Sequence, residues 1–236
     1  MILESISRVI GAVCSKLKIG AFDRAVIIWA PGYDPTTERT SHWLDGLSVP
    51  IGAIRHISIG TDIDRDEVSD TLQATQHLKR VKIFFGHGIE SALLGPPEGT
   101  HSDISLDDKT YSVIYDAEMV GETPSALFAF ACHAGKSLGE RFCLPAGRSF
   151  LGFTDGLVLP IMDKECRDVW RNIIRTIASQ IIHDGTIEPK HEESLRELYN
   201  KYFVHFQRGT GKQNAQAAFL MTLHLNYQSD VLSRYP

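Results

Sequence analysis

The sequence predicts an α/β fold, with a mostly parallel central sheet, helices on both faces and a helical C-terminal part. Short apolar runs of strand length alternate with segments of helical spacing over the first two thirds of the chain. Several of these runs are almost entirely apolar, which is typical of strands buried on both faces. The 236 residues are enough to bury a sizeable core, and no linker, repeat or low-complexity tract divides them.

The strands are predicted from apolar runs of strand length and from the turn residues that end them. The first run, Arg24 to Ala30, is nearly all apolar and stops at Pro31-Gly32. The segment 89–125 is predicted as a long loop. It contains one apolar patch, residues 111–115, which is predicted as a small hairpin or edge strand. Loops of that length inside a compact domain are often functional. The strands are predicted over 24–30, 51–59, 81–85, 111–115, 126–131 and 149–153.

The helices are predicted from apolar residues at helical spacing. Acidic residues just after Thr61 lie in a predicted first turn, where the helix dipole favours them. The helices are predicted over 2–17, 38–47, 61–78, 136–143, 164–183, 192–206 and 213–232. We therefore expect one domain over 1–236, with an N-terminal helix in 1–20, a sheet core over 22–162 and a helical C-terminal part over 163–236.

Composition and charge exclude several classes of function. The net charge of -5, with scattered basic residues, predicts neither nucleic-acid binding nor attraction to an anionic membrane surface. No apolar stretch reaches the roughly 18 residues of a membrane span. No basic segment followed by an apolar one opens the chain, so no secretory signal is expected. The four cysteines form no disulfide framework, which predicts a reduced, cytoplasmic setting.

Two predicted strands end at residues that can carry chemistry. The strand over 81–85 stops at Gly86-His87-Gly88, and the strand over 126–131 stops at Cys132-His133-Ala134-Gly135. The carboxyl ends of parallel strands form the crevice where ligands bind in open α/β sheets. We therefore expect the His87 imidazole and the Cys132 thiol to meet at one edge of the sheet, which suggests a Cys/His hydrolase.

This pair of residue types suits nucleophilic catalysis. A thiol attacks as the thiolate, and a nearby imidazole lowers the cost of forming that charge. The oxyanion produced by the attack needs backbone N–H donors. Gly88 allows close approach to a substrate because it has no Cβ. The helix predicted after Cys132 is expected to point its positive end at the sulfur.

At these residues the chain resembles the caspase-like cysteine peptidases, including metacaspases and bacterial CHAT-type peptidases. Phe85-Gly86-His87-Gly88 is similar to their strand–His-Gly block. Cys132-His133-Ala134-Gly135 is similar to the metacaspase run Cys-His-Ser-Gly, and Phe150–Thr154 is similar to the next strand of CHAT-type members. The resemblance covers about residues 22–162 in element order and motif placement.

The resemblance implies a caspase-like three-layer sandwich and a cysteine endopeptidase acting on a protein or peptide. It implies that His87 is the general base and Cys132 the nucleophile. The backbone N–H groups of Gly88 and Cys132 would form the oxyanion hole. It implies no cofactor, and by analogy of fold it fits a bacterial defence or cell-death role.

The chain departs from the family pattern in two places. Metacaspases have an acid two residues before the nucleophile, which receives a basic substrate side chain, and here that position is Phe130. Phe130 is expected to floor an apolar pocket instead, while Asp155 or Asp163 would supply an acid from the following loop. The stretch after Cys132 is too short for the linker that caspases cleave. We therefore expect no subunit processing, and activation by a regulatory protein partner, a ligand or ordering of the 89–125 segment.

Other interpretations of the same residues remain open. His87 and Cys132 could be a structural histidine and a buried free cysteine, and His133 could be mistaken for the base although its side chain is expected to point away. Gly209–Lys212 departs from a phosphate loop and Asp62–Glu67 from a calcium loop. Cys143 and Cys166 are predicted to be structural, and no histidine has zinc-ligand spacing, so no metal site is predicted.

Two alternative functions belong to other classes. A catalytically silent caspase-fold module for protein–protein interaction fits the missing acid at Phe130 and the apolar positions of the predicted helical tail. A flavodoxin-like binding domain is disfavoured because only Pro31-Gly32-Tyr33 follows the first strand, with no glycine-rich loop.

Overall fold

The computed structural model describes residues 25–29, 39–40, 42–45, 47, 54–58, 81–94, 112–115, 126–144, 148–157, 159, 163–208 and 232–235. The helices predicted over 2–17 and 61–78, and most of that predicted over 213–232, lie outside the described residues. So do the Gly209–Lys212 and Asp62–Glu67 segments.

The main sheet of the described part has six strands in the order β2-β1-β3-β7-β8-β9. Neighbouring strands pair in parallel, except that β9 pairs antiparallel with β8. The prediction of an α/β fold with a mostly parallel sheet is therefore confirmed. The strands are β1 (Ala25–Trp29), β2 (Ile54–Ser58), β3 (Val81–Phe85), β7 (Ala126–Phe130), β8 (Ser149–Phe153) and β9 (Leu232–Tyr235).

A second, antiparallel sheet of three strands stands between β3 and β7 in the chain. It comprises β4 (His87–Ile89), β5 (Ala92–Leu94) and β6 (Ser112–Tyr115), in that order. The strand predicted over 111–115 is thus confirmed, while β4 leads into the segment predicted as loop and β5 lies within it. We call residues 87–94 the His hairpin.

Helices lie on both faces of the main sheet in the described part. Because side chains alternate along a strand, Leu151 and Phe153 face one side of β8 and Phe150 faces the other. Helix α1 (Ser137–Cys143) lies on the Phe150 side, where Phe142 and Phe150 have ring centroids 6.4 Å apart. Helix α2 (Lys164–Asp184) lies on the opposite side, where Trp170 reaches Phe130 of β7.

The core is centred on α2 because its apolar stripe is completely buried against the sheet. Ile173, Ile174 and Ile177 have no exposed surface, and Trp170 contacts Tyr199 of the last described helix, α3 (Pro189–Gln207). Asp163 caps α2 by accepting hydrogen bonds from the N–H groups of Glu165 and Cys166. Helix α2 ends at Gly185, whose φ of 71° is the left-handed conformation that favours glycine.

Two details of the predicted elements are wrong. The C-terminal part is not wholly helical, because Leu232–Tyr235 forms the edge strand β9 beside β8. Four residues carry too little periodicity to be told from the end of a helical pattern. The α-helix predicted over 38–47 is also wrong in part: residues 39–40 are helical, but His42–Leu44 form a 3-10 turn.

Candidate active site

His87 and Cys132 follow neighbouring parallel strands at equivalent steps. The ladder pairs Val81 with Ala126 and Phe85 with Phe130, which are each 45 positions apart in the chain. The Gly86 N–H continues it with a 3.4 Å hydrogen bond to the Phe130 carbonyl. His87 and Cys132 are separated by the same 45 positions (132 − 87). Both residues therefore emerge side by side at the carboxyl edge of the sheet.

Gly88 packs directly against the backbone of the Cys loop, a name we use for residues 131–136. A Cβ built at Gly88 would lie 2.6 Å from the Cys132 carbonyl oxygen and 3.0 Å from the Ala131 Cβ. No side chain fits at that distance, so the approach depends on glycine. The residue that follows the predicted base thus contacts the backbone of the predicted nucleophile.

The Cys132 sulfur is half-buried and accepts a hydrogen bond from the backbone N–H of Leu157 at 3.1 Å. Burial raises the pKa of the Cys132 thiol, and the nearby Asp155 carboxylate adds to that effect. The N–H groups of Leu157 and of Cys132 itself act in the opposite direction on the same pKa. The net shift is upward, so the resting side chain at neutral pH is a thiol rather than a thiolate.

The loop after β8 forms the other wall of the site. The His133 N–H donates a 3.2 Å hydrogen bond to the Asp155 carbonyl, which joins this loop to the Cys loop. The Asp155 carboxylate is half exposed and accepts a hydrogen bond from the Gly156 N–H at 2.7 Å. A Cβ at Gly156 would meet no atom within 4 Å, so the space beside Gly156 is open.

His133 has an unusual backbone conformation directly after Cys132. Its φ is 57°, in the left-handed region that non-glycine residues seldom adopt. Its Nδ1 atom is buried, lies 3.9 Å from Asp155 Oδ1 and makes no hydrogen bond. Left-handed residues of this kind concentrate at functional sites. The ring is directed at the β8 loop.

The three predicted pocket residues have different positions. Phe130 is 2% exposed and stacks on Phe85 in the core, so the pocket-floor role predicted for it does not fit. Asp163 serves as the N-cap of α2. Of the three, only Asp155 lies beside Cys132. The face of β7 that carries Phe130 is covered by α2, whose Trp170 ring lies 6.4 Å from the Phe130 ring.

The prediction that the helix after Cys132 points its positive end at the sulfur is wrong. Helix α1 begins at Ser137, and turn residues 133–136 separate it from Cys132. Because the dipole effect falls off within the first turn, α1 cannot supply the expected stabilisation of a thiolate. The N–H of Leu157 takes that role. Sequence reasoning missed Leu157 because a backbone donor leaves no trace in residue type; only the Thr154-Asp155-Gly156 turn pointed to this loop.

The other described features bear on cofactors and on the remaining cysteines. Within the described residues no group of three His, Cys, Asp or Glu side chains could hold a metal ion, and no helix is long and apolar enough to cross a membrane.

Cys166 is fully buried, and burial raises its thiol pKa to about 12. Cys143 is half-buried in α1.

No protein-family model matches this chain, and a search of curated proteins finds no match. The resemblance to caspase-like peptidases accordingly depends on the two strand-exit motifs.

Proposed function

We propose that this chain is a cysteine endopeptidase with a caspase-like three-layer sandwich fold, which hydrolyses peptide bonds in a protein substrate. The observation that carries the proposal is the equivalent placement of His87 and Cys132 just beyond the carboxyl ends of β3 and β7, with Gly88 against the Cys132 backbone. The proposed enzyme acts in the cytoplasm, uses no cofactor and is regulated by a protein partner or a ligand.

The reaction has two halves, acylation and deacylation. In the first, the His87 imidazole takes the Cys132 proton while Sγ forms a bond to the substrate carbonyl carbon. The N–H groups of Gly88 and Cys132 bind the oxyanion. The tetrahedral intermediate collapses by breaking the C–N bond, and the departing amine takes the proton from His87.

In the second half, His87 removes a proton from water as that water attacks the thioester carbon. The C–S bond then breaks, the carboxylic acid leaves, and the proton on His87 returns to the Cys132 sulfur. Because Cys132 rests as a thiol, proton removal by His87 is a required part of acylation. The raised pKa of this thiol therefore makes the base more important, not less.

The test uses purified protein, a diverse peptide pool and an acyl-type thiol probe, with and without candidate activating partners. We expect peptide cleavage and probe labelling at Cys132, and loss of both in Cys132→Ala and His87→Ala. Cys143→Ala is the matched control and should behave as wild type. Labelling confined to Cys143 or Cys166, with no cleavage under any partner condition, would defeat the proposal.

A catalytically silent interaction module is the second candidate. The raised pKa of the Cys132 thiol favours this candidate. So does Phe130, which occupies the position of the metacaspase pocket acid and is packed into the core. Cys132→Ala separates the two candidates. A folded variant that keeps its biological effect supports the module, and a folded variant that loses it supports the enzyme.

A further inference from the structure

Two contacts beyond Gly88 join the His hairpin to the chain that comes after Cys132. The Lys136 Nζ lies 2.6 Å from Glu90 Oε1, forming an ion pair across the two segments. The Glu90 carbonyl accepts a 2.7 Å hydrogen bond from the Leu138 N–H. Glu90 is in the turn between β4 and β5, and Lys136 immediately precedes α1.

The residues that make these contacts are close in sequence to both proposed catalytic residues. Glu90 is three positions beyond His87 and Lys136 four beyond Cys132 (90 − 87 and 136 − 132). The strands of the His hairpin are only three residues long each and belong to the small sheet, not to the six-stranded one. The main-sheet ladder ends at Gly86, and beyond it the contacts of Gly88 and Glu90 hold the His hairpin against the Cys loop and the start of α1.

We propose that Glu90 and Lys136 are positioning residues, an ion pair that holds His87 in the geometry needed to act on Cys132. The inference rests on the proposed function, because the pair acts through those two residues. Both side chains are substantially exposed, at 61% for Glu90 and 44% for Lys136. Exposed pairs contribute little to folding stability, so the contribution of this one is expected in activity.

The charges around Lys136 support its role. Lys136 interacts favourably with the carboxylates of both Glu90 and Asp155, and these interactions raise its pKa. Glu90 in turn interacts with His133, next to the nucleophile. Removing Lys136 would take a favourable cation away from Asp155, whose carboxylate already raises the pKa of the Cys132 thiol. Loss of either partner also removes this side-chain contact between the His hairpin and the segment after Cys132, and leaves the backbone contacts of Gly88 and Glu90.

The experiment compares Glu90→Gln, Lys136→Met, Lys136→Arg and the Glu90→Gln/Lys136→Met double variant in the full chain. The measurements are kcat and KM for peptide cleavage, the pH dependence of Cys132 alkylation by iodoacetamide, and the melting temperature. Lys164→Met is the matched control, because Lys164 also forms an exposed ion pair, but with Asp168 of its own helix, at 3.2 Å, and not with the His hairpin.

We expect Glu90→Gln and Lys136→Met each to lower kcat by about 10- to 100-fold, the scale of a misplaced catalytic group. KM and the melting temperature should change little. Lys136→Arg keeps the positive charge and should retain the wild-type kcat. The kcat of the double variant should be no lower than that of the more affected single variant, since both substitutions remove the same contact. Single variants at wild-type kcat, or a double variant that falls by the product of the two losses, would overturn the inference.

The alkylation rate separates this inference from the proposed function. If the wild-type protein cleaves no peptide, the peptidase proposal fails, while the alkylation rate of Cys132 near neutral pH still reports on His87. A lower rate in both single variants, with recovery in Lys136→Arg, would support the ion pair as a positioning device in that case too. Unchanged rates in both would overturn it.

Discussion

The backbone N–H of Leu157 donates a hydrogen bond to the Cys132 sulfur across 3.1 Å. Leu157 lies 25 positions beyond Cys132 in the chain, in the loop after β8. This donor opposes the effect of burial on the Cys132 pKa. The loop after β8 therefore helps to set the pKa of the thiol of Cys132, the proposed nucleophile, which lies just after β7.

Leu157→Pro removes that N–H and should raise the pKa of the Cys132 thiol further. The pKa should rise because this hydrogen bond stabilises the charged thiolate more than the neutral thiol. The pH at which iodoacetamide alkylation of Cys132 is half-maximal measures it. Leu157→Ala keeps the N–H and is the control. An identical midpoint in Leu157→Pro and Leu157→Ala would contradict the role of this donor.

Gly88→Ala should destabilise the protein by about 1–3 kcal/mol, the usual cost of forcing an extra carbon into a packed position. The new Cβ would lie 2.6 Å from the Cys132 carbonyl, which belongs to the backbone and cannot rotate away. Gly156→Ala is the matched control, because a Cβ there meets no atom within 4 Å. Urea unfolding of both variants provides the measurement. Equal free energies of unfolding for the two variants would show that the His hairpin does not pack closely against the Cys132 backbone.

Stability should fall as the pH is lowered below about 6.5, in part because of His191. This side chain is fully buried, its Nδ1 accepts a hydrogen bond from the Glu188 N–H, and its Nε2 lies 3.0 Å from Asp184. Burial lowers the pKa of His191 below its ordinary value of 6.5. A group with a lowered pKa stabilises the fold above its unfolded pKa, and that contribution is lost as pH falls.

Asp184 extends the same pH dependence to more acidic conditions. Hydrogen bonds from Lys190 and His183, with a smaller contribution from His191, lower its pKa from 3.8 to about 2. Its contribution is therefore present above pH 3.8 and lost towards pH 2. Urea unfolding between about pH 8 and 2 should show both losses. His191→Gln should flatten the loss that begins below pH 6.5. An unchanged pH profile in His191→Gln would exclude His191 as its source.

Asp163→Ala should lower stability by about 0.5–2 kcal/mol, the usual cost of losing a helix N-cap. Asp163 accepts hydrogen bonds from the N–H groups of Glu165 and Cys166 at 2.9 Å and 3.1 Å. Its carboxylate is thus used by α2 and is not needed for catalysis. Peptide cleavage under native conditions should be unchanged. Lost cleavage with an unchanged free energy of unfolding would instead return Asp163 to the substrate pocket.

The central strands were predictable because burial on both faces leaves a strong pattern. The predicted strands over 81–85 and 149–153 match β3 and β8 residue for residue. Turn residues marked where strands stop, as Gly86 does after β3. The parallel strands β2-β1-β3-β7-β8 have the order that doubly wound folds such as flavodoxin also use. Strand order alone therefore does not distinguish one function from another. The residues that follow the strand ends carry that information.

The remaining features depend on contacts between segments that are distant in sequence. Strands β4 and β5 are three residues each, below the length at which alternation is visible, and they exist because they pair with each other and with β6. The Lys136–Glu90 ion pair spans 46 positions, and no local pattern marks it. Phe130 looked suitable for a pocket because the sequence could not show that α2 covers its face.

The most direct test of the central claim is the pH dependence of Cys132 alkylation in wild type and in His87→Ala. If His87 removes the proton from Cys132, the wild-type protein should react about 100-fold faster than His87→Ala near pH 7, the lower end of general-base effects. The His87→Ala rate should rise only at alkaline pH, where the thiol ionises unaided. Superimposable profiles would contradict the account, because they would show that the imidazole does not act on this sulfur.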